Sequence, residues 1–314
     1  MTIFFKYNLF KQGFPIQKLR IILALLLSSI SLHAQTLEPK LYANIPTGIN
    51  VFLLGYGHSQ GAIPENATLG LEDPNLNINS AFLVYARTFS FFGKHSKFDL
   101  IMPYAGMDGT ALQFGKPVSR EVSGMGDSKA RISLNLFGAP ALSAQEFGTY
   151  QADTVIGISL QATIPTGQHD GSRLINIGAH RWALKPGIGI SKTIAKYTFE
   201  FSADAEFYST NDDFFGGNSR KQDPIYSAQV HALYAFGPGM WLGVGATYYK
   251  GGEYYTNNIA ANNPLSNTRL GATFSLPLSR QHALKFYGNS GINTRYGTDF
   301  DAVGVAWQYS WFDK

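Results

Sequence analysis

The sequence predicts an all-β fold: a twelve-stranded antiparallel transmembrane β-barrel of the bacterial outer membrane. Three observations carry this expectation. The first is the alternation in residues 197–208, YTFEFSADAEFY. Tyr197, Phe199, Phe201, Ala203, Ala205 and Phe207 share one face of a strand, and Thr198, Glu200, Ser202, Asp204, Glu206 and Tyr208 share the other. Twelve such residues exceed the roughly 5–6 of a soluble strand and suit the roughly 9–11 of a tilted membrane strand. The second is composition: 33 Gly, 23 Phe, 17 Tyr and no Cys in 314 residues, with 15% charged residues against about 25% in soluble domains. The third is loop parity. Short links follow even-numbered runs and long links follow odd-numbered ones, which is the layout of an outer-membrane barrel with short periplasmic turns.

The chain begins with a basic stretch, an apolar core at 21–32 (IILALLLSSISL) and then His33-Ala34-Gln35. This pattern predicts a cleaved signal peptide over 1–34. Its apolar core is too short for a membrane-spanning helix. Lys6, Lys11, Lys18 and Arg20 belong to this leader, which holds no acid, so the remainder carries 21 basic and 21 acidic residues. The formal +4 is therefore a property of the leader, and no nucleic-acid partner is expected. Without Cys there is no disulfide framework, thiol nucleophile or lipoprotein anchor.

Residues 35–48, with two prolines, read as a periplasmic lead-in, and 49–314 as the barrel. Strand-like runs are expected near 49–60, 79–91, 97–109, 126–137, 152–165 and 181–193. Six more follow near 196–209, 223–236, 240–251, 266–277, 282–293 and 300–311. Runs 126–137, 152–165 and 266–277 repeat the two-faced pattern, whereas 49–60 and 79–91 are apolar on both faces. Links 92–96, 194–195, 237–239 and 278–281 are short; 61–78, 110–125, 166–180, 210–222 and 252–265 are long. Two links break the rule, the long one at 138–151 and the short one at 294–299. The last run sets Val303, Val305, Trp307, Tyr309 and Trp311 on one face, as an interfacial aromatic girdle requires.

Charge concentrates on the expected inward face. Lys129, Arg131, Arg181, Lys185 and Arg269 oppose Glu200, Asp204 and Glu206, with Lys185 facing Asp204 to Glu206 across a two-residue turn. Such a constriction could orient a solute, but bracing of the interior by charge pairing is the favoured reading, because buried charges must pair somewhere. Gln229 and His231 lie on the same face, where His231 with Glu200 or Asp204 and Ser202 would be the parts of a hydrolase. Asn211-Asp212-Asp213 offers oxygens of the kind calcium takes, but the spacing completes no ligand set and no metal is expected. Gly251-Gly252 lacks the strand–helix context of a phosphate loop, so no cofactor is expected.

Several segments together resemble a known family. They are LEPKLYANIPTGIN (37–50), NLFGAPALS (135–143), IPTGQHDGSRLINIGAHRWALKPGIGIS (164–191), QDPIYSAQVHALY (222–234), RLGATFSLPL (269–278) and SGINTRYGTDFDAVGVAWQYSW (290–311). In order and spacing they resemble a bacterial family of outer-membrane transporters named for the meta-pathway of phenol degradation. The resemblance implies a barrel and uptake of small aromatic or hydrophobic solutes, and brings no catalytic residues. The resulting expectation is a passive outer-membrane channel for such solutes. Its partners would be outer-membrane lipid, lipopolysaccharide, the barrel-assembly machinery and the solute. The alternatives are a membrane-embedded lipid hydrolase and a closed structural or adhesive barrel.

Overall fold

A computed structural model describes residues 38–62, 71–295 and 299–313. The expected signal peptide lies outside the described residues, as do residues 35–37 of the lead-in and 63–70 and 296–298 of two links. The strands are β1 Ile49–Ala62, β2 Leu71–Phe91, β3 Lys94–Gln113, β4 Lys116–Met125, β5 Ser128–Phe137, β6 Thr154–Ile164, β7 Ala183–Ile194, β8 Tyr197–Tyr208, β9 Asn211–Phe214 and β10 Asn218–Gln222. They continue as β11 Ile225–Gly237, β12 Met240–Gly251, β13 Tyr254–Thr256, β14 Ile259–Ala260, β15 Leu265–Pro277, β16 His282–Asn293 and β17 Asp299–Phe312. Among the described residues one short α-helix, α1, spans Ala144–Phe147.

Twelve of these strands form the barrel, all pairs antiparallel, with β1 closing against β17 from Ile49↔Phe312 to Ala62↔Asp299. Closure leaves no unpaired sheet edge in the hydrocarbon. The alternation read from the sequence sets the faces. Phe199, Phe201 and Phe207 of β8 are about half exposed on the outside, as are Ile188, Val230, Val244 and Leu270 on neighbouring strands. Glu200 and Asp204 are enclosed within.

The hairpin links rest on positive φ where the geometry demands it. Phe92 and Gly93 both adopt it (48° and 71°) in the turn between β2 and β3, as a twisted two-residue hairpin requires. Aromatic rings gather at this same end of the barrel. Tyr197 packs on Tyr234 (5.1 Å between centroids) and Tyr234 on Phe236 (4.9 Å). On β17, Trp307, Tyr309 and Trp311 form a stacked row (6.3 and 5.3 Å). This is the periplasmic girdle expected of a barrel.

Four of the long links are not loops, which corrects the sequence reading. β3 runs past the membrane, pairing with β5 over Ser96–Ile101 and then with β4 over Tyr104–Gln113, so 110–125 is mostly hairpin. β2 begins at Leu71, inside the segment read as the first link. Beyond β8 and β12, β9, β10, β13 and β14 build a separate four-stranded sheet. These strands stand in water, so nothing imposes an apolar lipid face, and the alternation that betrays membrane strands is missing. The long periplasmic link 138–153 carries α1, capped at Ser143 by a reciprocal Ser143–Glu146 capping box.

Candidate functional site

Residues 38–48 do not trail away from the barrel but run along its inner wall. Thr88 fixes their base, its Oγ1 donating to Pro46 O (2.8 Å), while Thr47 N donates to Leu142 O (2.8 Å) in the periplasmic link. Further in, the Tyr42 hydroxyl meets Ser159 Oγ (3.0 Å) and Asn135 Nδ2 donates to Tyr42 O (3.1 Å). The Tyr42 ring fits only because Gly157 and Gly189 lie beneath it: a Cβ there would come within 2.3 and 2.4 Å of the ring. Lys40 N donates to Glu200 Oε2 (2.9 Å), and its ammonium sits 4.6 Å from the Trp241 ring centroid. Glu38, at the deepest described point, pairs with Arg131, and its backbone N–H donates to Gln229 Oε1 (3.4 Å). The gap left between this plug and the wall is about 20 Å³, room for about one water.

The wall facing the plug is charged and internally paired. Arg131 Nε reaches Asp99 Oδ2 (3.0 Å), its neighbour in register, and Lys97 reaches the same carboxylate (3.5 Å). Lys185 Nζ lies 3.4 Å from Asp204 Oδ1, which also accepts from Ser227 Oγ (2.6 Å). His231 Nδ1 is 3.8 Å from Glu200 Oε2. Enclosed charges need such partners, since one left alone costs several kcal/mol. Burial pushes the Glu38 carboxyl up, but Arg131, with Lys185 and Lys129 beyond it, more than reverses this and holds its pKa at about 2.

The opposite wall is richer in apolar and aromatic side chains, although Lys285 of β16 points inward on the same face as Tyr287. Inward positions of β1, β2, β16 and β17 include Val51, Leu53, Phe82, Val84, Tyr287 and Phe300. Phe82 and Tyr287 lie 6.2 Å apart at 55°. Both rings lie flat on glycine: a Cβ on Gly55 would sit 2.1 Å from Phe82 Cζ, and one on Gly304 2.1 Å from the Tyr287 hydroxyl. At the outer mouth Leu76, Met107, Val122 and Phe300 form a buried cluster, with Ile175 and Ile177 brought onto it by the 166–182 loop. Asp127 fixes that loop, accepting from Gly167 N (2.9 Å) through one oxygen and from Ala179 N (2.7 Å) through the other. Gly167 and Gly178 pass so closely that neither has room for a Cβ.

Among the residues singled out from the sequence, Lys129, Arg131, Lys185, Glu200, Asp204, Gln229 and His231 converge on the plug and the wall beside it. Glu206 lies above them and accepts from the Tyr208 hydroxyl (3.0 Å). Arg181 stands at the extracellular mouth, stacked on Tyr208 (4.3 Å) and bonded to Gln222 Oε1. Arg269 is buried elsewhere, donating to Asn289 Oδ1 (2.6 Å) and Phe300 O. Sequence reasoning missed Glu38, Lys40 and Tyr42, because nothing in a proline-bearing lead-in marks it as lumenal. It also missed Asp99, whose register partner Arg131 was the available clue. Ser202 and His231 share the inward face without a hydrogen bond between them. Asn211 Oδ1 accepts from Asp213 N (2.9 Å), a local turn, and Phe214 packs inward under Arg220.

A closed twelve-stranded barrel with a lipid-facing apolar belt and a lined interior defines an outer-membrane β-barrel protein. Residues 59–307 match the family model described as "Putative MetA-pathway of phenol degradation", and the chain belongs to that family. The fold is similar to that of an outer membrane channel from Pseudomonas putida F1, with a TM-score of 0.74, 20% identity, and coverage of 88% of this chain and 100% of that one. It is also similar to the transport unit of the autotransporter AIDA-I from Escherichia coli, with a TM-score of 0.50, 8% identity, and coverage of 88% and 94%. No curated protein matches the sequence.

Proposed function

We propose that this protein is a passive channel for small hydrophobic or aromatic solutes. The observation that carries the reading is the two-sided lumen. An aromatic solute can rest its ring along Phe82, Tyr287 and the mouth cluster while a polar substituent turns to the charged wall of Arg131, Lys185 and Asp204. Apolar surface with a few placed polar groups is what small-solute recognition requires, and passage past the plug needs residues 38–48 to move, since the gap beside them holds about one water. The family description, which names phenol degradation, points to the same class of solute. A twelve-stranded barrel stands between filled eight-stranded and open sixteen-stranded ones, and selective passage suits that width. Lys129, Arg131, Lys185, Glu200, Asp204, Glu206, Gln229 and His231 form the constriction in this reading, Arg181 stands above it at the mouth, and Arg269, buried against Asn289 and Phe300, lies off the path.

The test is permeation into proteoliposomes of phenol against a sugar of similar mass. Phenol should enter faster through the protein than through bare lipid, and the sugar should not. Phenol entry no faster than through bare lipid would overturn the reading in favour of a closed barrel. Hydrolysis has less support, since Ser202 and His231 are not assembled as nucleophile and base. Lipopolysaccharide around the belt and folding by the barrel-assembly machinery belong to the same proposal. So does removal of residues 1–34, which would leave three residues ahead of Glu38 and which intact-mass measurement of the membrane-extracted protein would check.

A further inference from the structure

We propose that Arg181 and Arg220 form a recognition site for the carboxylate of a small aromatic acid at the extracellular mouth. The Arg220 guanidinium lies between two rings, 3.8 Å from Tyr254 and 4.6 Å from Phe214. Arg181 lies 4.3 Å from Tyr208 and 5.8 Å from the same Tyr254. Two cations thus share one aromatic ring, and neither has an ion pair among the described residues. Arg181 spends a donor on the neutral Gln222. The neighbouring carboxylates are engaged elsewhere: Glu206 accepts from Tyr208 and Asp223 from Tyr255. Burial pushes the Arg220 pKa down and Arg181 adds to this, while Tyr254 works against it; the guanidinium nevertheless stays charged.

Like charges held this close in a half-buried place call for an anion, and two planar forks suit a carboxylate. The cluster is also on the route inward, because Tyr208 and Glu206 belong to the lumenal face of β8. This inference rests on the channel reading for its solute class and extends it from neutral aromatics to aromatic acids.

Isothermal titration calorimetry on the detergent-solubilised full chain tests it with benzoate, benzyl alcohol and inorganic phosphate. Benzoate should bind, Arg220→Gln and Arg181→Gln should each weaken it at least tenfold, and benzyl alcohol should respond to neither change. If Arg220→Gln fails to fold, Arg220→Lys keeps the charge without the planar stack and should still weaken benzoate. Phosphate binding as tight as benzoate, no benzoate binding, or unchanged binding in both arginine variants would each overturn the proposal. Phenol entry no faster than through protein-free liposomes would overturn the channel reading while leaving benzoate binding as measured.

Discussion

The backbone amide of Lys40 donates a 2.9 Å hydrogen bond to Oε2 of Glu200, 160 residues further along the chain. The carboxylate of the most legible membrane strand is therefore spent on the N-terminal segment. With Glu38 on Arg131 and Tyr42 on Ser159, it holds a plug against the charged wall. Plug and wall are opposite in charge where they meet, so weakening one pair should loosen the whole segment.

Removing the deepest anchor tests this. Glu38→Ala leaves Arg131 with Asp99 alone and should cost the plugged state about 3 kcal/mol, the scale for breaking an enclosed ion pair. Single-channel conductance in planar bilayers should rise, with the barrel's resistance to SDS at room temperature unchanged.

Acid should do the same reversibly. Glu38 is held at about 2, below its ordinary value of 4.5. A depressed acid contributes its full stabilisation above the ordinary value and loses it as pH falls through the folded one. Conductance followed from pH 5 to pH 2 should therefore climb towards the lower end, and Glu38→Gln should remove Glu38's share of that climb.

The apolar wall can be narrowed without touching a charge. In Gly55→Ala the new Cβ would lie 2.1 Å from Phe82 Cζ, and the ring can yield only towards the lumen. Phenol permeation should fall severalfold while heat-modifiability on SDS gels stays near wild type. Gly93→Ala, where nothing lies within 4 Å but φ is +71°, should leave permeation unchanged and lower stability by about 1 kcal/mol.

Asp127 holds both stems of the mouth loop. Hydrogen bonds to a charged group are worth about 1.5–3 kcal/mol, so Asp127→Ala should free the loop. Trypsin should then cut after the exposed Arg173 faster in intact cells, and Asp127→Asn, which keeps one acceptor, should be intermediate.

The lipid face gives the complementary control. Phe201→Arg places a charge in the apolar belt and should cost about 2–4 kcal/mol if its site lies near the bilayer midplane. Refolding into lipid vesicles with urea titration would read it.

The barrel strands were legible because the membrane imposes a rule at every second residue. Phe199 and Phe201 must meet lipid and Glu200 must meet the interior, so local alternation alone assigns the faces. Runs 49–60 and 79–91 looked ambiguous for an equally physical reason. Their inward residues, among them Leu53, Phe82 and Val84, line the apolar wall, so β1 and β2 are apolar on both sides. The water-standing strands β4, β9, β10, β13 and β14 obey no such rule and passed for loops.

What the sequence by itself determined is the barrel: its strand number, its two faces, and the inward placement of Lys185, Asp204 and Glu200. Tertiary structure decided what those charges meet. Glu38 finds Arg131 across 93 residues, and Asp127 finds both ends of a loop about 40 and 52 residues away. Such pairings depend on closure of the ring and on the inward turn at Gly48. Alternation specifies which way a side chain points, but only the folded barrel specifies what stands opposite.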